Sequence, residues 1–257
     1  MVEAAKGGKN KGGKKMKGVI LAGGTGSRLL PLTRTSNKHL LPIYDKPMIY
    51  YPIETLKRAG IKDILVITGT HHAGAVFHLL GSGKEFGVNF TFRVQDEAGG
   101  LPQAIGLAKE FVGSDKFVSI NGDNILFDDI GPFVKAFEAG KEKSRILLYE
   151  TTKEEAAKAG VAMLEGEKVV KVIEKPKDPP TNWVVVGVYM YTPQVFDVIK
   201  TLRPSARGEL EISDLHNYYI KDGSLAASKL KKEWLDAGSF DELLRVNKMV
   251  AQSRDRK

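Results

Sequence analysis

The segment from Met16 to Pro42 constrains this chain most. Lys17-Gly18-Val19-Ile20-Leu21-Ala22 reads as a short apolar strand, and it runs directly into Gly23-Gly24-Thr25-Gly26-Ser27-Arg28-Leu29. Glycines let neighbouring backbone N–H groups converge on a concavity that accepts phosphate oxygens with no Cβ in the way. Arg28 follows the turn, and Lys38 comes ten residues later, before Leu40-Leu41-Pro42. A strand, a glycine turn and two cations suit a polyphosphate. Two familiar glycine loops are excluded. Leu29 stands where G-x-G-x-x-G needs its third glycine, and no Gly-Lys-Ser/Thr closes a P-loop.

The first half alternates strand and helix. Strands are expected at Val19–Ala22, Ile64–Thr68, Phe90–Val94 and Phe117–Ile120, with helices at Met48–Ala59 (opened by Pro47), His72–Leu80 and Gln103–Phe111. This order predicts an α/β fold, a doubly wound and mostly parallel sheet of Rossmann-like type. Ligands of such sheets sit beyond the carboxyl ends of the strands. Gly23–Arg28, Gln95–Gly100 and Asn121–Asn124 each follow a strand, so all three should face one crevice. Short strands at Arg145–Thr151, Val161–Leu164, Val169–Ile173 and Val184–Tyr191 suggest a small mixed or antiparallel subregion, and Phe240–Ala251 a terminal helix.

With 257 residues the chain can bury one large core, so residues 16–257 are expected to form a single domain. The net charge of +8 raises the question of nucleic acid. Half of it comes from Lys6, Lys9, Lys11, Lys14 and Lys15 against Glu3. That Gly/Lys stretch, residues 1–15, has no apolar periodicity and reads as a disordered basic tail, either natural or appended. The remainder is only mildly basic, as suits a binder of phosphorylated substrates, and nucleic acid is not the expected partner. The absence of cysteine removes disulfides, thiolate nucleophiles and cysteine-ligated zinc, and fits a cytoplasmic location. His71, His72 and His78 lack metal-ligand spacing and read as surface or helix histidines. No apolar run is long enough to span a bilayer.

Several further blocks follow the glycine turn in order. They are Leu41-Pro42-Ile43-Tyr44-Asp45-Lys46-Pro47-Met48, Gly122-Asp123-Asn124, Glu174-Lys175-Pro176, Ser205-Ala206-Arg207-Gly208-Glu209 and Trp234-Leu235-Asp236-Ala237-Gly238. Together with Leu21-Ala22-Gly23-Gly24-x-Gly26-x-Arg28-Leu29, they span residue 17 to about 245. The chain resembles the sugar-1-phosphate nucleotidylyltransferases, most of all the short members of the branch that transfers thymidylyl groups to glucose 1-phosphate. The resemblance implies dTTP or UTP as donor, a sugar 1-phosphate as acceptor, Mg²⁺ as cofactor and a homo-oligomer. A uridylyltransferase, or another nucleotidylyltransferase of the family, is the alternative.

Each residue so implied also has a plainer reading. Asp123 in Asn-Gly-Asp is ordinary turn chemistry, yet a strand-end carboxylate is well placed to hold Mg²⁺ against a triphosphate. Asp236 could cap the helix that follows. The resemblance favours metal for both. It also assigns Arg28 and Lys38, otherwise surface cations, to the reacting phosphates. Leu21, Ala22, Gly23, Gly24, Thr25, Gly26, Gln95, Gly100 and Asp123 would line the nucleotide. Gly160, Glu174, Lys175, Val185 and Arg207 would hold the sugar phosphate, although Glu-Lys-Pro alone reads as a strand-end turn. A Gln at position 95 offers a donor and an acceptor to the imide edge of thymine or uracil. Three departures from the family pattern bear on the sugar: His39 replaces Gln, Pro102 replaces Ala, and Ala159 replaces a Tyr. A catalytically silent homologue would be expected to lack the metal carboxylates, and both are present.

Overall fold

A computed structural model of the chain describes residues 16–254, so the basic tail at 1–15 lies outside the described residues. Four strands form a parallel heart: Phe117–Asn121, Lys17–Ala22, Asp63–Gly69 and Asn89–Gln95, side by side in that order. They belong to a nine-stranded sheet. Trp183–Tyr191 pairs antiparallel with Phe117–Asn121 and carries the second-half strands outward. On one side lie Gly160–Glu165 and Lys168–Glu174, an antiparallel hairpin. On the other lie Ser144–Glu150 and Leu225–Lys229. The smaller region expected from the second half is therefore the outer part of this same sheet.

Strand alternation sends Ile20 and Ala22 to one face and Val19 and Leu21 to the other. The first face packs against the helices Tyr50–Arg58, Ala73–Leu80 and Gly131–Ala139 through Ile53, Leu56, Val76, Val134 and Phe137. The second packs against Leu101–Gly106, Val195–Ile199 and Ile212–Lys221 through Ile105, Phe196, Leu215 and Tyr219. Gly18 allows the first helix its close approach, because a Cβ there would stand 2.8 Å from Leu56 Cδ1.

A third core lies beyond the sheet. There the two-stranded ribbon Asn124–Leu126/Trp234–Asp236 and the terminal helix Phe240–Arg254 enclose Leu29, Ile43, Met48, Ile125, Leu235, Val246 and Val250.

Some boundaries differ from expectation. The helix after Pro47 starts at Tyr50, because Lys46–Pro47 pairs with Pro42–Ile43 first. The helix expected over Gln103–Phe111 is two short ones, Leu101–Gly106 and Lys109–Val112. His72 precedes Ala73–Leu80 as its cap, in a left-handed conformation. The helices Gly131–Ala139 and Ile212–Lys221 and the strand Leu225–Lys229 were not anticipated.

Candidate active site

The glycine turn sits at the carboxyl edge of the parallel strands. Gly26 adopts φ +66°, and a Cβ on it would meet Thr33 Cγ2 at 2.7 Å and Lys38 Cβ at 2.9 Å. Thr33 Oγ1 donates to the Gly26 carbonyl at 2.9 Å, which fixes the bend. One turn of 3-10 helix follows at Ser27–Leu29, with Leu29 fully buried as its anchor. A second such turn, Lys38–Leu40, is capped by Asn37, whose Oδ1 accepts from the His39 backbone N–H at 2.9 Å. That cap places the Lys38 ammonium on Asp123, with which it forms a buried ion pair.

The ribbon brings up the second carboxylate. Asp236 pairs in register with Asn124, and the Ala237 N–H donates to the Asp123 carbonyl at 3.2 Å. A Cβ at Gly238 would stand 2.5 Å from Arg28 Nη2 and 2.9 Å from Asp236 Oδ1, so glycine permits arginine and carboxylate to meet there. Arg28, Lys38, Asp123 and Asp236, distant in sequence, thus share one place.

Their electrostatics interlock. Burial alone would raise Asp123, but Lys38 and His39 beside it hold its carboxyl below the usual carboxylate range. Burial would lower Lys38, yet Asp123 and Asp236 raise it. Burial and the Asp123 charge push Asp236 well above the usual range, against the pull of Lys38 and Arg28. Asp236 Oδ1 is buried with no hydrogen-bond partner. The orphaned oxygen calls for positive charge. Among the described residues no cluster of three or more His, Cys, Asp or Glu forms a closed metal cage. Two carboxylates with an open side fit Mg²⁺, which takes the rest of its shell from water and substrate phosphates. Asp236 does not cap the following helix; Ser239 Oγ accepts there from the Glu242 N–H at 3.4 Å.

Asn124 is a residue that the sequence reading missed. It is buried, its Nδ2 donates to Asp123 Oδ1 at 3.0 Å, and its Oδ1 accepts from the Gly187 N–H at 3.1 Å and from Trp234 Nε1 at 2.7 Å. Two N–H donors on the amide oxygen force the amide nitrogen towards Asp123. Trp234 is thereby tied to the carboxylate. Glu242 was missed as well: it lines a depression with Arg28, Lys175 and Asp236 and adds negative charge near Asp236.

On the other flank, Gly23, Gly24, Thr25, Lys38 and Gln95 line a cleft. His71 and His72, expected as surface or helix histidines, border it together with Arg34 and Asp96. Leu21 and Ala22 are buried below, and the Leu21 carbonyl accepts from the Gly122 N–H at 2.8 Å. Gln95 Nε2 donates to Gln103 Oε1, and a Cβ on Gly23 would be 2.1 Å from Gln95 Oε1. Gly100, at φ +94°, packs against Leu210, whose carbonyl would be 2.2 Å from a Cβ there.

Glu174 and Lys175, at the end of the sheet's outer hairpin, meet Arg207 from the segment Ser205–Glu211. Glu174 Oε1 is 3.7 Å from Lys175 Nζ and 3.9 Å from Arg207 Nη2. Arg207 is held by Glu211, Nη2 to Oε2 at 2.6 Å, a partner not foreseen. Gly160 pairs with Glu174 in register, and the Lys175 N–H donates to the Ala159 carbonyl at 3.1 Å. Lys175 faces both this group and the depression of Arg28 and Asp236. Val185 lies where the register of Trp183–Tyr191 shifts. His39 is buried, with Nδ1 2.9 Å from Asn37 Oδ1, and burial with the Lys38 charge lowers its pKa to about 4. Pro102 sits in the first turn of its helix.

Known proteins resemble this chain in sequence and in fold. The nucleotidyl transferase family profile matches residues 17–253. The glucose-1-phosphate thymidylyltransferase of Neisseria meningitidis is 43% identical over 89% of this chain and 80% of its own length. The low-salt glycan biosynthesis nucleotidyltransferase of Haloferax volcanii is 42% identical over 94% of this chain and 68% of its own. A Bacillus anthracis protein described as a glucose-1-phosphate thymidylyltransferase, solved with sucrose, superposes with TM-score 0.87 at 50% identity, covering 91% of this chain and 95% of that one. A UDP-glucose pyrophosphorylase solved with UDP-glucose gives 0.81 at 25%, covering 93% and 99%. With its glycine turn, paired carboxylates and flanking cations in one crevice, the chain belongs to the nucleotidyl transferase family and is a nucleotidyltransferase.

Proposed function

We propose that this enzyme joins dTTP and glucose 1-phosphate to give dTDP-glucose and pyrophosphate. The observation that carries the reading is the convergence of Arg28, Lys38, Asp123 and Asp236 beside the glycine turn, in a chain 43% identical to a thymidylyltransferase. An oxygen of the sugar 1-phosphate attacks the α-phosphorus. A new O–P bond forms as the bond to the β-phosphate oxygen breaks, and pyrophosphate leaves with the electron pair. The attacking phosphate is already ionised at neutral pH, so the protein need supply no general base. Its work is positioning and charge neutralisation.

In this reading the amides of Gly23–Gly26 and the side chains of Arg28 and Lys38 hold the triphosphate. Lys175 and Arg207 hold the sugar phosphate, and Glu174 meets sugar hydroxyls. Asp123 and Asp236 would hold Mg²⁺, which when bound supplies further neutralisation at the phosphates. The Gln103 contact orients the Gln95 amide, so that Oε1 faces Gly23 and can accept the imide N–H of thymine. Uracil has the same imide edge. UTP is therefore the second reading, favoured by the UDP-glucose pyrophosphorylase fold match.

A matrix of dTTP, UTP, CTP, GTP and ATP against several sugar 1-phosphates, read by pyrophosphate release, tests both. Preferred use of a purine triphosphate would overturn the Gln95 assignment. We also propose a homo-oligomer, to be checked by light scattering, and a cytoplasmic location, where nucleoside triphosphates are available. No helix among the described residues is long and apolar enough to cross a membrane.

A further inference from the structure

Asn121 ends the strand Phe117–Asn121, two residues before Asp123. Its Oδ1 is buried and has no hydrogen-bond partner. Glu174 Oε2 is in the same condition. Unpaired buried acceptors are rare in folded proteins, and each calls for an explanation. Here the explanation lies in how the amide is seated. The neighbouring strand Trp183–Tyr191 breaks register with Ser144–Glu150, its partner on the opposite edge, between Val185 and Tyr189, and Gly187 lies in the break. A Cβ on Gly187 would stand 2.4 Å from Asn121 Nδ2 and 2.6 Å from Asn124 Oδ1. The bulge and its glycine therefore make room for the Asn121 amide nitrogen. Tyr189, also buried, places its phenol against the same amide, within the field of Glu174, Asp123 and Asp236. The nitrogen side of Asn121 thus lies against the protein, while its oxygen is left without a partner two residues from Asp123.

We propose that Asn121 is a specificity-determining residue of the acceptor subsite: its Oδ1 accepts a hydrogen bond from a ring hydroxyl of the sugar 1-phosphate, with Tyr189 and the Gly187 bulge setting the amide's direction. The inference rests on the nucleotidyl-transfer reading above and adds to it a residue that selects the sugar. A ribose hydroxyl of the nucleotide has the same donor chemistry, and the experiment separates the two sources.

Steady-state kinetics would compare the wild-type enzyme with Asn121→Leu and Tyr189→Phe, using glucose 1-phosphate, its 2-, 3-, 4- and 6-deoxy analogues, dTTP, UTP and dUTP. Loss of a buried hydrogen bond of this kind is worth roughly tenfold. Asn121→Leu should therefore raise KM for glucose 1-phosphate about tenfold, with KM for the triphosphate unchanged. One deoxy analogue should be penalised about tenfold by the wild-type enzyme and no further by the variant, as expected for a site built to bind that hydroxyl. Tyr189→Phe should shift the same analogue by about threefold, a smaller perturbation that serves if Asn121→Leu fails to fold. Equal penalties for every analogue in wild-type and variant enzymes would overturn the proposal. So would an Asn121→Leu effect confined to triphosphate KM or to the UTP/dUTP ratio, which would move the contact to ribose. A wild-type enzyme that penalises no deoxy analogue overturns it without any variant. Absence of transfer to any sugar 1-phosphate would instead overturn the underlying functional reading, and this inference with it.

Discussion

Beside the glycine turn the Lys38 side chain is 9% exposed and already paired with Asp123, whereas in the Glu174 group the Lys175 and Arg207 side chains are 49% and 48% exposed. The first group is set by backbone: capped single turns, a left-handed glycine and a two-stranded ribbon leave its side chains little freedom. The second hangs from an outer hairpin and the segment around Ser205–Glu211, where Arg207 is steadied by a side chain, Glu211. The contrast suggests a division of labour. Phosphate chemistry needs fixed charge, because stabilisation of a transition state depends on groups that need not reorganise. Acceptor choice can rest on more exposed side chains at the sheet's edge, such as those of Lys175 and Arg207 in the reading proposed above.

If that division holds, the largest losses come from the fixed cluster. Asp123→Ala or Asp236→Ala should lower turnover by a factor on the order of 10³ or more while circular dichroism stays native. Near-normal turnover at saturating Mg²⁺ would remove that carboxylate from the chemistry. Next comes Arg28. Arg28→Lys should retain no more than about a hundredth of wild-type kcat, because an ammonium cannot bridge two phosphate oxygens as a planar guanidinium does. Unaltered kinetics in that variant would mean that a point charge suffices.

Asn124→Asp tests whether the cluster is positioned as well as charged. The change keeps shape but sets a carboxylate 3.0 Å from Asp123 in place of an N–H donor. A fall in kcat of about ten- to a hundredfold is expected, with KM for glucose 1-phosphate little changed. A KM effect alone would assign Asn124 to the sugar side. Gln95→Ala should act more gently. It should erode the preference for pyrimidine triphosphates by about tenfold at most and leave saturated turnover nearly intact, as measured by competition between dTTP and GTP.

The smallest effect lies behind Tyr189, on the helix Ile212–Lys221. His216 is fully buried against Tyr189, neither ring nitrogen has a hydrogen-bond partner, and burial lowers its pKa to about 3. Between that value and the ordinary histidine pKa near 6.5, the unfolded chain binds a proton that the folded chain refuses. Its contribution to stability is therefore present above pH 6.5 and declines as pH falls, by at most about 1.4 kcal/mol per pH unit. Denaturant melts from pH 7 to 5 should show a shallower decline in His216→Phe than in the wild-type protein. Identical slopes would show that His216 does not carry the acid sensitivity.

Much of the fold was legible because local pattern and tertiary role coincide. The strand at Lys17–Ala22 is apolar on both faces, as a central parallel strand must be. The helix Ile212–Lys221 was missed although Ile212, Leu215 and Tyr219 recur at helical spacing, because the buried Ser213 and His216 interrupt the apolar stripe. The gap between Leu101–Gly106 and Lys109–Val112 follows Gly106, whose weak helix propensity was the one local signal of the break.

The sequence alone determined the glycine turn, the order of the motifs and the family they point to, because each rests on residues adjacent in the chain. It also supplied Arg28, Lys38, Asp123 and Asp236 by name. Only the tertiary structure decided how they act on one another. The register that sets Asp236 opposite Asn124, the glycine that admits Arg28 to Asp236, and the Trp234–Asn124–Asp123 chain of hydrogen bonds join segments more than a hundred residues apart. Hydrogen bonds, burial and charge coupling act over a few ångströms of space whatever the separation along the chain. Asn121, expected from the sequence only as the start of a crevice-facing segment, meets the Gly187 bulge only when Trp183–Tyr191 folds beside it.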